Sequence, residues 1–293
     1  MRVTQSMIAG NSLRNLSKSY EKMGTYQDQL ATGKKINRPS DDPVVAMKGM
    51  HYRTNLTEVE QYQRNISEAY QWMENSEAGI EQGTQVLQRV RELMVQASNG
   101  TNSPDDLKAI GAEIKQLKED LVGSANTQVA GKYIFNGTET KTPPVTLNAD
   151  GTVAVTIDSS AFEIEVSKNV KLKANINNNN VFNKELFDVM DSIEKALTSG
   201  DMSGSDDMLS KLDDRLDVMN AERAELGARF NRLELIEDRV GKQEIVATRI
   251  LSDNEDADME RVIMDLKTQE SVHRAALSVG ARIIQPTLMD FLR

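Results

Sequence analysis

Apolar residues recur at every seventh position over most of residues 59–97. The repeat consists of Val59, Ile66, Met73, Ile80, Leu87 and Met94. The alternate seam positions hold Tyr62, Ala69, Ser76, Gly83, Val90 and Ala97. A heptad repeat of this length predicts a long α-helix that packs in a coiled coil, and its small seam residues let a neighbouring helix approach closely.

The N-terminal segment carries a shorter apolar stripe that ends in a cluster of turn residues. The stripe consists of Leu13, Leu16, Tyr20, Met23 and Leu30. Gly33 follows it, and the end of a helix favours a left-handed glycine there. Asp42 before Pro43 matches an N-cap with proline at the first helical position. We therefore predict a helix end, a short ordered loop and a helix start.

Further along the chain, helical and strand patterns alternate. Ser103 and Pro104 predict the start of a third helix. Two-residue alternation on both sides of residues 148–151 predicts a β-hairpin, and residues 162–166 and 170–176 alternate as well. Residues 177–180 are expected to form a turn or loop. Helical periodicity returns over 182–197, 209–233 and 259–283.

These patterns predict a mainly α fold with a small β-rich insert, organised as an elongated antiparallel helical bundle whose N- and C-terminal helices are paired. Residues 1–43 carry seven basic and four acidic side chains, whereas residues 251–293 carry five basic and eight acidic ones. The two tails therefore have net charges of about +3 and −3, which favours their pairing.

The predicted domains follow this layout. Residues 1–43 and 251–293 would form a terminal-helix domain, and residues 44–137 with 204–250 a helical rod. Residues 138–203 would form the β-rich insert with one helix.

Composition excludes several classes of function. With 39% hydrophobic and 4% aromatic residues, the chain suits elongated helices better than one thick core. A net charge of −10 argues against a nucleic-acid-binding surface. The absence of cysteine excludes disulfides and thiolate zinc sites, and no apolar run is long enough for a membrane span.

No catalytic or cofactor motif is recognisable. The sequence TGKK at residues 32–35 lacks the glycine and hydroxyl positions of a phosphate-binding loop. The acidic run Glu255–Asp258 lacks the spacing of a calcium loop, and we interpret it as solvated turn or helix-start residues. His51 and His273 show no metal-ligand spacing. We expect no enzyme activity, no cofactor and no metal site.

Several motifs closely resemble those of the bacterial flagellin superfamily. They are LATGKKINRPSDDP at residues 30–43, ERAELGARFNRLE at residues 222–234 and the long C-terminal helix that begins with NEDADMERV. Other motifs are similar to those of the hook–filament junction proteins within that superfamily. These are MRVTQSM at the N-terminus, RPSDDP in the loop, YIFNGTETKTPP at residues 133–144 and IIQPTLMDFLR at the C-terminus.

The resemblance implies a structural subunit of the flagellum that assembles in a short ring between hook and filament. Its implied partners are copies of itself, a second hook–filament junction protein, flagellin filament subunits and a cytosolic export chaperone that binds the C-terminal segment. Nucleic acid and membrane are not among them. Such a protein would be secreted through the flagellar type III apparatus without a cleaved signal peptide. Its terminal helices would form an inner tube, and the β-rich insert would lie outermost.

Two groups of residues follow as candidate sites. The assembly interface comprises Met7, Leu13, Leu16, Tyr20, Met23, Leu30, Val272, Ala276, Val279, Ile283, Leu288 and Phe291. The domain-junction loop comprises Gly33, Ile36, Asn37, Pro39, Ser40, Asp41, Asp42 and Pro43. Ordering a residue costs about 1–2 kcal/mol, so we expect narrow apolar stripes to leave the tails loosely ordered until other subunits surround them. An ordinary intramolecular coiled coil is the alternative.

Three other functions remain open at this point. The chain could be a flagellin, the bulk subunit of the filament. It could be a cytosolic coiled-coil scaffold, for which the heptads alone would suffice. It could also be a flagellin-like protein with enzyme activity in the insert, although no catalytic cluster lies between Val145 and Asn180.

Overall fold

The computed structural model of the chain describes residues 5–99, 102–148, 151–176 and 178–284. The helices are α1 (Gln5–Thr32), α2 (Pro43–Ser98), α3 (Pro104–Ala125), α4 (Asn178–Val181), α5 (Lys184–Ser199), α6 (Ser205–Glu255) and α7 (Met259–Ile284). The strands are β1 (Gln128–Val129), β2 (Lys132–Tyr133), β3 (Val145–Leu147), β4 (Val153–Val155), β5 (Glu163–Ser167) and β6 (Val170–Lys173). The predicted mainly α fold with a small β-rich insert is confirmed.

The chain divides into two compact units. Unit 1 consists of residues 1–58 and 243–293, and unit 2 consists of residues 59–242. The division falls inside the long helices α2 and α6.

Unit 2 is built around the heptad helix. All six residues of the repeat that begins at Val59 are at most 6% exposed, which confirms the predicted seam. Where α2 and α6 contact each other, residue numbers rise along one helix as they fall along the other. Arg91 pairs with Asp213 at 2.6 Å, and Arg223 pairs with Glu77 at 3.2 Å. The two helices are therefore antiparallel here.

The third helix begins where its capping residues predict. The Ser103 hydroxyl accepts a hydrogen bond from the backbone N–H of Asp106, while the Asp106 carboxylate accepts one from the backbone N–H of Ser103. This reciprocal pair is a capping box, with Pro104 at the first helical position. Helix α3 then packs against α5.

Lys118 joins α3 and α5 from a buried position. Its side chain is 3% exposed, and its Nζ lies 2.9 Å from Asp191 Oδ1 and also contacts Glu194. Burial lowers the pKa of Lys118, but the hydrogen bonds to Glu194 and Asp191 outweigh it and hold the pKa above its usual value. The lysine is thus a satisfied structural ion.

The insert contains three antiparallel strand pairs. The predicted hairpin is present as β3 paired with β4, and the second alternating region forms β5 paired with β6. The pair of β1 and β2 was not predicted, because two-residue strands leave no periodic signal.

The turn or loop predicted for residues 177–180 is wrong over its described part. Residue 177 lies outside the described residues, and Asn178–Val181 form the short helix α4. Val181 and the following Phe182 are fully buried, and the Asn180 side chain donates a hydrogen bond to Glu222. Burial of these apolar side chains against the core overrides the loop propensity of the asparagines.

The segment YIFNGTETKTPP forms a tight turn on the core. Phe135 is fully buried, and its ring lies so close to Gly79 that a Cβ there would be 2.7 Å from it. Asp158 closes the turn, because its carboxylate accepts hydrogen bonds from the hydroxyls of Ser160 and Thr138. These bonds hold the pKa of Asp158 well below its usual range.

Unit 1 contains the paired terminal helices. The Gln269 side chain on α7 donates to the Ser19 hydroxyl on α1 at 2.8 Å, and the rings of Tyr20 and His273 lie 6.1 Å apart. Just beyond the end of α1, Lys34 forms an antiparallel bridge with Asp256. Rising residue numbers on α1 meet falling numbers on the C-terminal side, so the predicted antiparallel pairing is confirmed.

Candidate assembly surface and junction loop

Unit 1 has many exposed apolar side chains and very little core. Within the described residues, its only buried apolar side chains are Ala247 and Val262, which are 6% and 7% exposed. Among the large apolar side chains that are exposed in the described chain, all but Val95, Leu147 and Leu235 belong to unit 1. Because soluble chains rarely leave so much apolar surface on one part, unit 1 is a candidate docking surface.

The structure places the predicted interface residues in two groups. Leu16, Met23 and Ala276 are half-buried. The exposed group consists of Met7, Leu13, Tyr20, Leu30, Val272 and Val279, with exposed fractions from 37% to 67%. The side chain of Ile283 and the whole of Leu288 and Phe291 lie outside the described part of the chain.

An apolar groove runs between the terminal helices. It has a volume of about 240 Å³ and is lined by Ser12, Leu13, Leu16, Ala276, Leu277, Gly280 and Ala281. Small side chains form much of its lining, and Leu13 and Leu277 stand exposed beside it. Its size and polarity suit the apolar side chains of another helix.

The junction loop has the predicted helix end and helix start. Gly33 follows the last residue of α1 with φ at +71°, a conformation that favours glycine. Asp42 Oδ1 accepts hydrogen bonds from the backbone N–H groups of Val44 at 2.9 Å and Val45 at 3.1 Å. Pro43 is the first residue of α2. The predicted Asp42–Pro43 cap is therefore confirmed.

Asp41 organises the middle of the loop. Its Oδ2 accepts hydrogen bonds from the backbone N–H groups of Asn37 at 3.3 Å and Arg38 at 3.0 Å. Ile36 is half-buried, whereas Asn37, Pro39 and Ser40 are exposed. The loop is held by its own backbone contacts and presents its proline and serine outward.

The first residues of the loop pair with the connection between α6 and α7. The backbone N–H of Lys35 donates to the carbonyl of Glu255 at 2.6 Å, and that of Ala257 donates to the carbonyl of Gly33 at 2.8 Å. The Asn254 side chain donates to the carbonyl of Val45 at 3.1 Å. These bonds fasten the N-terminal part of unit 1 to its C-terminal part.

Glu255 is the charged centre of this contact. Its side chain is 5% exposed, with Oε2 2.6 Å from Lys34 Nζ and Oε1 2.7 Å from Arg53 Nε. Burial raises the pKa of Glu255, but the hydrogen bonds and charges of Arg53 and Lys34 outweigh it, and the pKa lies below its usual value. Glu255 therefore stays ionised at neutral pH and joins three segments of unit 1.

Sequence reasoning did not find Glu255. It grouped this residue with Asp256 and Asp258 as a solvated or helix-start acid. That interpretation holds for Asp258, which accepts a hydrogen bond from the backbone N–H of Arg261 at 3.2 Å. It is wrong for Glu255, because two distant cations and the packing of α2 bury it.

The described residues offer no arrangement for metal or cofactor chemistry. They contain no group of three or more histidine, aspartate or glutamate side chains placed to hold a metal ion. No helix in the same part of the chain has a stretch both long and apolar enough to cross a bilayer.

Similarity to known proteins extends over most of the chain. A model of the bacterial flagellin N-terminal helical region matches residues 3–140. Flagellar hook-associated protein 3 of Escherichia coli is 27% identical over 94% of this chain and 95% of its own length. The chain is similar to bacterial flagellins and to flagellar hook-associated proteins.

Two further proteins extend this similarity. The flagellin of Bacillus subtilis is 28% identical over 80% of each chain. The structure of a flagellar hook-associated protein from Vibrio parahaemolyticus superposes with a TM-score of 0.68 and 21% identity, and the match covers 74% of this chain and all of that one. The structural match establishes that the fold is shared.

Proposed function

We propose that the chain is a structural subunit of the bacterial flagellum that forms the junction between hook and filament. The observation that carries the proposal is the nearly end-to-end match with a flagellar hook-associated protein, 94% of one chain against 95% of the other. The accompanying physical observation is that unit 1 exposes its apolar residues, as a chain does when its packing is completed by neighbours.

Assembly proceeds through the terminal helices. The assembly interface is formed by the residues named in the sequence, from Met7 to Leu30 on the N-terminal side and from Val272 to Phe291 on the C-terminal side. Contacts between different faces of successive copies give an open helical assembly, whereas contacts between identical faces would close a dimer. In the flagellum, a short ring of such helically arranged copies couples two mechanically different segments, the hook and the filament.

The remaining expectations belong to the same proposal. Residues 1–43 and 251–293 form the inner domain, residues 44–137 and 204–250 the rod, and residues 138–203 the outer insert. The subunit is exported without a cleaved signal peptide, after a cytosolic chaperone has bound its C-terminal segment. In the flagellum it contacts a second junction protein and flagellin. It has no enzymatic role and binds no nucleic acid.

Locating the chain on isolated flagella tests the proposal. An antibody against the insert should label one short band between hook and filament in electron micrographs. Labelling along the whole filament would instead identify a flagellin. This alternative is supported by the similarity to the Bacillus subtilis flagellin. Absence of label from sheared flagella would overturn both assignments and favour a cytosolic scaffold.

A further inference from the structure

Within the described residues, the charges that the two ends of unit 1 could share are mostly left unpaired. Of the basic residues in the described part of 1–43, Lys34 alone forms an ion pair with the C-terminal side, to Glu255 at 2.6 Å and Asp256 at 3.9 Å. Lys18 and Lys22 are exposed and form no ion pair within the described residues. The tail complementarity seen in the sequence is therefore used at one end of the helix pair only.

Three of the cations without an ion pair lie on one side of α1. We call this side the basic flank and define it by Met7, Arg14, Lys18 and Lys22, which are spaced by seven, four and four residues. Such spacing places side chains on one face of a helix. This face differs from the one that contacts α7, because Leu16, Ser19 and Met23 are the more buried residues of α1. Met7 adds an apolar side chain that is 58% exposed.

A surface of opposite charge lies at the bend between α6 and α7. We call it the acidic bend and define it by Asp253, Asp256, Glu260 and Met264. All four side chains are exposed, and Met264 is 62% exposed. Neither Glu260 nor the Asp253 carboxylate forms an ion pair within the described residues. The bend thus offers the same combination of charge and methionine as the basic flank, with the opposite sign.

We propose that the basic flank of α1 docks on the acidic bend of a second copy of this chain. The proposal rests on the proposed function, since it specifies how successive subunits of the junction meet. The partner is a second copy because each chain carries both of the complementary surfaces, the basic flank and the acidic bend. Two basic flanks, or two acidic bends, would repel each other. The contact is therefore heterologous and continues from copy to copy.

The contact also sets an offset between neighbouring copies. Lys34 lies beside Asp256, so the antiparallel pairing brings residue 30 of α1 level with Glu260. Lys18 is twelve residues before that level, which corresponds to about 18 Å along the helix. Docking the flank of one copy on the bend of the next therefore shifts the second copy by about 18 Å along the axis of the pair.

Engineered cysteines test the contact directly, because the chain has none of its own. The variant K18C/E260C is assembled on isolated flagellar hooks and treated with a short bismaleimide linker. Within one chain the two thiols are separated by about 18 Å, beyond the reach of a short linker. The proposal predicts a ladder of linked copies, with none from K18C alone, E260C alone or the control K141C/K168C, whose sites lie on unit 2.

The other possible results contradict either the docking inference or the proposed function. If the double variant assembles but yields no ladder, or if K18C alone links to itself, the docking inference is wrong while the proposed function stands. If the unmodified chain assembles neither on hooks nor at high concentration, the proposed function itself fails.

Charge exchange provides a second test that does not depend on linker geometry. K18E/K22E and D253K/E260K should each weaken assembly by about tenfold, since two attractive pairs become repulsive. An equimolar mixture of the two variants should recover assembly, because each variant keeps the half that complements the other. The matched variant K141E/K168E should assemble normally. Failure of the mixture to recover, while both variants fold, would overturn the inference.

Discussion

Gly49 packs directly against the carboxylate of Glu255. A Cβ on residue 49 would lie 2.6 Å from Glu255 Oε1 and 3.4 Å from the side-chain amide nitrogen of Asn254. With a Cβ at this position, either the Glu255 carboxylate would have to leave its two cations or α2 would have to move away from the end of α6. The buried carboxylate, its two cations and the backbone pairs around it depend on the close approach of these two helices.

Replacing this glycine should loosen unit 1. We expect G49A to destabilise it by about 1–3 kcal/mol, since the clash outweighs the gain of up to about 1 kcal/mol in helix propensity. Faster hydrogen exchange of the Lys35 and Ala257 amides would report the loss. G24A is the matched control, because a Cβ there meets nothing within 4 Å. Equal protection in G49A and the unmodified chain would contradict the account.

Unit 1 should lose stability in acid. The pKa of Glu255 is lower in the folded chain than its ordinary value of 4.5, so the unfolded chain binds more protons in the interval between the two values. The stabilisation is complete above the unfolded pKa and is lost as the pH falls through the folded one. Hydrogen exchange of the Lys35 amide between pH 6 and pH 3 would follow it.

The variant E255Q isolates the carboxylate in this titration. We expect it to be about 1–3 kcal/mol less stable than the unmodified chain at pH 7 and to lose most of the acid dependence. D253N, which changes an exposed neighbour, should behave like the unmodified chain. An acid profile of E255Q that matches that of the unmodified chain would assign the effect to other groups.

Unit 2 has an equally specific glycine at residue 137. Its φ is +54°, and a Cβ would overlap the carbonyl oxygen of Asp158. We expect G137A to cost about 2 kcal/mol or more, from backbone strain together with the clash. G131A isolates the strain, because its φ is +78° and the space around it is open. Its cost should be nearer 1 kcal/mol.

Tryptophan fluorescence would measure both variants. Trp72 is the single tryptophan, is 3% exposed and lies 4.9 Å from the ring of Phe162, so its emission reports on unit 2. Equal denaturant midpoints for G137A and G131A would show that the Asp158 contact contributes nothing.

The junction loop should matter for assembly more than for export. Pro39 and Pro43 restrict the backbone of a loop that is otherwise held by Asp41 and Asp42. P39A/P43A should be secreted at a normal level but should form the hook–filament junction poorly, as counted by attached filaments. A matched change in unit 2, P143A/P144A, separates the loop from a general loss of proline. Normal filament attachment in P39A/P43A would defeat the prediction.

Local signals predicted the helices well. Asp42 and Ser103 could be identified as caps because a capping side chain bonds to backbone only two or three residues away. The heptad from Val59 to Met94 predicted a buried seam because every member of it lies on one face.

Long-range relations could not be predicted in this way. Lys34 and Arg53 lie 221 and 202 residues from Glu255, and no local pattern connects them. Gly49 is unremarkable until α6 is placed beside it. The apolar stripe predicted which face of α1 is apolar but not which segment or molecule packs on it. In the structure Leu16 is half-buried, whereas Leu13 and Tyr20 remain exposed. Periodicity locates an apolar face without saying which molecule covers it.

In the proposed assembly, unit 1 completes its packing among neighbouring copies. Hydrogen exchange of the free chain and of the chain assembled on isolated hooks measures it most directly. We predict that residues 59–242 are protected in both states, whereas protection of α1 and α7 rises strongly on assembly. Equal and strong protection of both terminal helices in the free chain would contradict the account.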